Sequence, residues 1–310
     1  MPKKVLTITM NPALDVNSEA DEVLTDQKVR CEKPKYDPGG GGINVARVLT
    51  RLGIEVDAEY LVGGVPGEFL KQLLQDEDMN DHPIEISGIT RENTSIIDKK
   101  TGEQYRFVFP GPEIEEKEWK GVLEKVKKEI SSYDIVVASG SLPPGVPVDF
   151  YSRIAKIVLE EDKTYILDTS GDFLVEGIRN GATFIKPNQE EFEVLIEKKE
   201  ADGKDDLIQK LFSLGVENVI HTMGKEGTYL YNQSETKSFT PPEVEVNSSI
   251  GAGDSFVGGL VAGLAEEKEV GDAICYGISA AASTLKSPGT DLCDYKEVQS
   301  ISKELCGKKV

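Results

Sequence analysis

The chain has 310 residues, with 55 acidic against 35 basic side chains, and its formal net charge of −20 argues against a nucleic-acid-binding surface. No stretch approaches the roughly 20 apolar residues of a membrane span. Cys31, Cys275, Cys293, Cys306, His82 and His221 are scattered without metal-ligand spacing, which speaks against structural zinc or a disulfide framework and fits a reducing cytoplasm. Val5–Thr9 reads as an opening strand, because its apolar run is too short for a signal peptide and no small-residue cleavage site follows. Further strands are expected at Glu55–Leu61, Ile135–Ser139, Thr164–Leu167, Thr183–Lys186, Val219–Thr222 and Gly227–Tyr231. Apolar residues recur at helical spacing over 43–52, 67–77, 115–131, 148–161, 189–197, 204–214, 254–267 and 270–284. Strands alternating with helices predict an α/β domain on a doubly wound, mainly parallel sheet flanked by helices, with ligands at the carboxyl ends of strands. Residues 12–37 and 88–110 break the alternation, the second stretch reading as a hairpin that turns at Lys100-Thr101-Gly102. Together they are expected to form a small β lid on a single domain spanning 1–310.

Four segments carry chemistry. Gly251-Ala252-Gly253-Asp254 opens the 254–267 helix. Glycines let successive N–H groups converge on one point, and a helix N-terminus attracts anions. Asp254 would repel a phosphate held there, so it either takes a proton from an attacking hydroxyl or merely caps the helix. Asp37 to Arg47 sets four glycines before a helix, so a ligand can lie against bare backbone with Asn44 on the first turn, although glycine runs also form plain loops. In Lys186-Pro187-Asn188-Gln189-Glu190-Glu191, Asn188 and Glu191 share one helix face. That pair suits a hydrated magnesium ion near nucleotide phosphates, or an ordinary capping box. Ser139-Gly140-Ser141-Leu142-Pro143-Pro144-Gly145 leaves a strand with two hydroxyls beside a glycine, placed to hold sugar hydroxyls or to form a stiff turn.

With Asn11-Pro12-Ala13-Leu14-Asp15, these segments occur in the order found in ribokinase-type carbohydrate kinases, the PfkB family, and the sequence resembles that family over essentially its whole length. The likeness is greatest to the minor type of ATP-dependent 6-phosphofructokinase, through Lys28-Val29-Arg30-Cys31, Thr90-Arg91-Glu92-Asn93 and Gly102 to Val108. The resemblance implies a cytoplasmic, ribokinase-like enzyme that transfers the γ-phosphoryl group of ATP to the 1-hydroxyl of fructose 6-phosphate. Relatives acting on tagatose 6-phosphate or fructose 1-phosphate carry lysine where this chain has Gly41, which favours fructose 6-phosphate over those two alternatives. It further implies Asp254 as catalytic base, with the N–H groups of Gly251, Ala252 and Gly253 as an anion hole. Asp15, Gly40, Asn44 and Ser141 match positions that grip the sugar, and Arg91 the one that grips its phosphate. Lys28 matches a lysine that reaches across a homodimer formed by the lid strands. Lys186, Asn188, Thr222 and Gly224 fall on nucleotide-side positions, and Glu191 and Asp168 on the side of Mg2+, held through water. Ser248, Ile250 and Gly289 resemble a monovalent-cation site for K+, although the loop 286–291 is one residue longer than the family pattern.

A dinucleotide-binding dehydrogenase would also place glycines at a helix start, but its acidic residue belongs about 20 positions on, at a strand end. Here Glu266, Glu267 and Glu269 close the helix itself. A sugar-phosphate sensor without catalysis would most simply lack Asp254 or the anion hole, and both are present. Small molecules are therefore the expected partners, with no nucleic acid and no membrane.

Overall fold

The computed structural model describes residues 3–287 and 289–306. Every residue of β1 (Val5–Thr9) is buried, Val5 in the apolar layer on one face of the sheet and Leu6 and Ile8 in the layer on the other. Such two-sided burial marks a central strand of a doubly covered sheet. The chain continues through β2 (Ala13–Ala20), β3 (Lys35–Gly39), α1 (Gly41–Arg51), β4 (Val56–Val62), α2 (Gly64–Asp76) and β5 (Asn80–Glu85). After β6 (Arg91–Asp98) and β7 (Gln104–Phe107) come α3 (Glu116–Glu129), β8 (Ile135–Ser139), α4 (Phe150–Glu160), β9 (Thr164–Asp168), α5 (Gly171–Gly177) and β10 (Ala182–Ile185). The helices α6 (Gln189–Lys198) and α7 (Lys204–Ser213) then lead to β11 (Val216–Thr222), β12 (Thr228–Asn232) and β13 (Thr236–Phe239), and α8 (Ala252–Ala265), α9 (Val270–Lys286) and α10 (Tyr295–Cys306) follow.

The nine-stranded sheet runs β13-β12-β11-β10-β9-β8-β1-β4-β5. It is parallel from β11 to β5, with β12 and β13 added antiparallel at one edge. Helices α1, α2, α8, α9 and α10 bury their apolar residues in the layer on one face, and α3 to α7 in the layer on the other. Because β1 lies between β4 and β8, the winding reverses beside it. A crevice must open outside the carboxyl ends of β1 and β8 at such a reversal. A separate four-stranded sheet, β3-β2-β6-β7, stands beside that opening.

Several boundaries differ from the sequence reading. Helices α1, α2 and α8 begin earlier than expected, at Gly41, Gly64 and Ala252: glycine and alanine open α1 and α8, and the first turn of α2 holds Gly64, an exposed Val65 and Pro66, which belong to no apolar face. Strand β5 shows no alternation and contains Pro83, and it survives as an edge strand, where a missing N–H costs no ladder bond. Short β13 and α5 also escape a reading based on periodicity, and the 12-residue amphipathic α10 is not among the expected helices although its pattern is helical.

Candidate active site

Asp254 sits in the first turn of α8, which Gly251 starts in the left-handed region at φ 73. A side chain at Gly251 would be strained there, so the residue lets the chain turn sharply into the helix. The Asn44 amide on α1 donates to Asp254 Oδ2 at 2.8 Å, and this contact joins two sequence motifs 210 residues apart. Burial pushes the Asp254 carboxyl up to about 7, and nearby Asp168 adds to the rise. The Asn44 hydrogen bond and Lys186 oppose it, while Asp15 contributes a further small upward push. A half-buried carboxyl poised near neutrality, with one edge open to a substrate, is what a general base requires.

Asp168, at the end of β9, pairs with Lys186 at 3.1 Å, and the Lys186 side chain is only 8% exposed. Burial alone would lower the Lys186 ammonium, but Asp168, Glu191 and Asp254 overcome it and hold the group above its ordinary value. Three carboxylates therefore surround one ammonium, leaving negative charge that a divalent cation would neutralise. Burial raises the Glu191 carboxyl, whereas the Asn188 N–H and Lys186 lower it. Asn188 and Glu191 form a capping box, with Glu191 N–H donating to Asn188 Oδ1 and Asn188 N–H to Glu191 Oε2, each at 2.9 Å. Among the described residues no three His, Cys, Asp or Glu side chains converge closely enough to bind a metal directly.

Lys186, Thr222 and Gly224 line one cavity of about 910 Å³ together with Ala252 and Gly253. Thr222 is tied to Pro187 by its N–H at 3.0 Å, which holds the end of β11 against the turn before α6. The cavity is lined on its far side by Phe256, Ala281, Ala282 and Leu285, an apolar wall suited to a flat heterocycle. Ala252 N–H makes a long 3.4 Å bond to Ser249 O.

On the opposite side of Asp254 the small sheet supplies Asp15, whose Oδ1 accepts from Asn93 at 2.9 Å. Burial raises the Asp15 carboxyl, and Asn93, Arg106 and Arg91 partly offset it. Asn11 and Ser141 are joined at 3.1 Å. Arg91 donates to the carbonyls of Asn11 at 2.8 Å, Phe109 at 3.0 Å and Pro12 at 3.4 Å, which leaves two of its five N–H groups for a ligand. It lines a cavity of about 500 Å³ with Asn11 and Ser141. Gly40 precedes α1, and a Cβ at Gly41 would meet Ser139 Oγ and crowd the Gly140 N at 3.0 Å, so a side chain there requires the Ser139 hydroxyl to turn away and the backbone beside it to give.

The remaining expected residues lie further out. Lys28 is exposed, between β2 and β3. Ser248 N–H donates to Leu285 O at 3.3 Å, and Ile250 N–H to Ser248 Oγ at 3.3 Å. Ile250 lines a small pocket with Asp15 and Thr290, next to Gly289. Arg106, Asn93 and Asn17 line that pocket too, and the sequence reading assigned them no role. The signal was present in period-2 alternation: Asp15 pairs with Asn93, and Ser95 with Arg106, so all point to one face once the register is known.

The model of the pfkB family of carbohydrate kinases matches residues 5–297. The chain belongs to this family. It is 36% identical over 302 residues to ATP-dependent 6-phosphofructokinase isozyme 2 of Mycobacterium tuberculosis, covering 96% of this chain and 88% of that protein. To the Escherichia coli protein of the same name it is 34% identical over 303 residues, covering 96% and 97%. Crystal structures of phosphofructokinase-2 from Escherichia coli superpose on it over 98% of this chain and 99% of theirs. The potassium complex gives a TM-score of 0.90 at 31% identity, and the fructose 6-phosphate complex 0.87 at 30%. A tetrameric inhibited form gives 0.90 at 32%. The α/β architecture described above is thus the ribokinase-like fold, and the pfkB family chain is a carbohydrate kinase. No described helix is long and apolar enough to cross a membrane.

Proposed function

We propose that this kinase transfers the γ-phosphoryl group of ATP to the 1-hydroxyl of fructose 6-phosphate, forming fructose 1,6-bisphosphate and ADP. The observation that carries the reading is Asp254, half-buried, poised near neutrality and held by Asn44, with its neighbours Ala252 and Gly253 lining the large cavity beside Lys186 and Asp15 lining the polar pocket of the small sheet. Asp254 takes the proton of the 1-hydroxyl as its oxygen attacks the phosphorus. The N–H groups of Gly251, Ala252 and Gly253 at the α8 N-terminus balance charge on the transferring group, and Lys186 steadies the nucleotide phosphates. Asp15, Gly40, Asn44 and Ser141 hold the sugar, and Arg91 its phosphate, with Arg106 beside Asp15 as a second cation. Asn188, Thr222 and Gly224 border the nucleotide. Glu191 and Asp168 hold Mg2+ through water, and the ion supplies charge neutralisation between the phosphates and the acidic cluster. Ser248, Ile250 and Gly289 are assigned to K+.

The active form in this reading is a homodimer joined through the small sheet, which acts as a lid on the single domain. All four cysteines are free, which supports a cytoplasmic setting. A coupled ADP-release assay over fructose 6-phosphate, tagatose 6-phosphate and fructose 1-phosphate tests the substrate. The highest kcat/KM is expected on fructose 6-phosphate, and a higher value on either other sugar overturns the assignment.

A further inference from the structure

One buried charge has no part in the reaction as described. Arg47, on α1 one turn beyond Asn44, is 3% exposed. Its fork grips the Glu77 carboxylate at the end of α2, through Nε at 2.8 and 3.0 Å and Nη2 at 2.6 Å. The remaining nitrogen, Nη1, points back into the site, toward Pro38 O at 3.3 Å and Asn44 Oδ1 at 3.4 Å. A guanidinium can only donate hydrogen bonds, so the Asn44 atom facing it is the oxygen. The Asn44 NH2 group must then face Asp254, where it donates to Oδ2 at 2.8 Å. One orientation of the amide satisfies both neighbours, and the reversed one would satisfy neither.

We propose that Arg47, anchored by Glu77, is a positioning residue that locks the Asn44 amide with its donor turned to the catalytic base. The inference rests on the reading of Asp254 as that base. The lock has two consequences. Oδ2 of Asp254 already accepts an N–H donor, which makes Oδ1 the more basic and freer oxygen for the hydroxyl proton. The same donor stabilises the ionised carboxylate against Asp168 on β9 and Asp15 on β2, with Lys186 after β10 as the other favourable charge. Without Arg47 the amide is free to turn its oxygen toward Asp254, which replaces a bond to the charged form with one to the protonated form. The base then ionises at higher pH.

The test is the pH profile of kcat/KM for Arg47→Met and Arg47→Lys relative to wild type, a ratio that cancels the ionisation of the substrates. The acid limb is expected to move up by about one pH unit in Arg47→Met, a loss of roughly tenfold on that limb, with the high-pH plateau within roughly threefold. Arg47→Lys restores part of the shift, because an ammonium still donates. A merely structural arginine would lower the plateau or the thermal midpoint and leave the limb in place. If Arg47→Met does not fold by circular dichroism, Glu77→Gln decides, since Glu77 is partly exposed and its loss loosens the same fork. An unmoved limb in the folded variant overturns the proposal. Asp254→Asn is assayed alongside. If it retains turnover, the reading of Asp254 fails, whereas an inactive Asp254→Asn with an unmoved Arg47→Met limb removes only the role of Arg47.

Discussion

Asp254 shows how one side chain trades stability for chemistry. Its carboxyl is raised to about 7, so kcat/KM should fall roughly tenfold per pH unit below that point. Asp254→Asn keeps the size but removes the base, and turnover should fall by roughly 10²–10⁴ while fructose 6-phosphate still binds. Turnover near that of wild type would reduce Asp254 to an acidic residue of the first turn of α8, where Gly251 and not Asp254 is the cap. The same shift predicts an opposite effect on stability. A carboxyl raised in the folded state binds its proton more tightly there than in the unfolded chain, so ionising it opposes folding as pH rises between its unfolded value and about 7. The asparagine variant should therefore melt several degrees above wild type at about pH 8, and the gap should close as the pH falls to about 4. Equal melting curves at both pH values would mean that the carboxyl is not held out of its ordinary range.

Among the elements, helix α6 carries two readings of one geometry. Its capping box uses Asn188 Oδ1 and Glu191 Oε2, which leaves Glu191 Oε1 outside the box, in a carboxyl that feels the charges of Lys186 and Asp168. If that oxygen helps to hold hydrated magnesium, Glu191→Gln raises the magnesium concentration needed for half-maximal rate, and saturating metal rescues part of the activity. An unchanged magnesium curve, with only a lower melting temperature, would leave the pair as a cap alone. What could be read from the sequence follows the range of the interactions involved. The α8 start was legible because glycines and Asp254 are adjacent in sequence, and the central strands because two-sided burial writes apolar runs such as Val5-Leu6 and Ile135-Val136-Val137. Arg106, Asn93 and Arg47 were not. Which way β7 faces depends on its register with β6, and the role of Arg47 depends on Glu77, 30 residues away on another helix.

At the scale of the molecule, the small sheet divides its residues by polarity between its two faces. Register places Asp15, Asn17, Asn93, Ser95 and Arg106 on the face toward the site, and Val16, Tyr36, Thr94, Ile96, Tyr105 and Phe107 on the other. On that outer face Phe107 is 53% exposed and Tyr36 38%, with Phe69 of α2 shielding only one end at a ring separation of 5.2 Å from Tyr36. A sheet with an apolar outer face and a polar inner one is suited to pairing with itself. On the homodimer reading, Lys28 leaves its own subunit and completes the site of the other, which makes a complementation test decisive. Lys28→Ala subunits keep their own Asp254 but supply no lysine, and Asp254→Asn subunits supply lysine but have no base. Each variant alone should be nearly inactive on fructose 6-phosphate. Equal amounts, dissociated and reassociated together, form heterodimers in which one of two sites is intact, so activity should return to roughly a quarter of wild type. Placing Phe107→Asp in both variants sets a charge in the apolar face and should abolish the recovery, with monomers seen by sedimentation velocity. No recovery from the mixture, in a protein that sediments as a dimer, would mean that Lys28 does not cross the interface and that each subunit completes its own site.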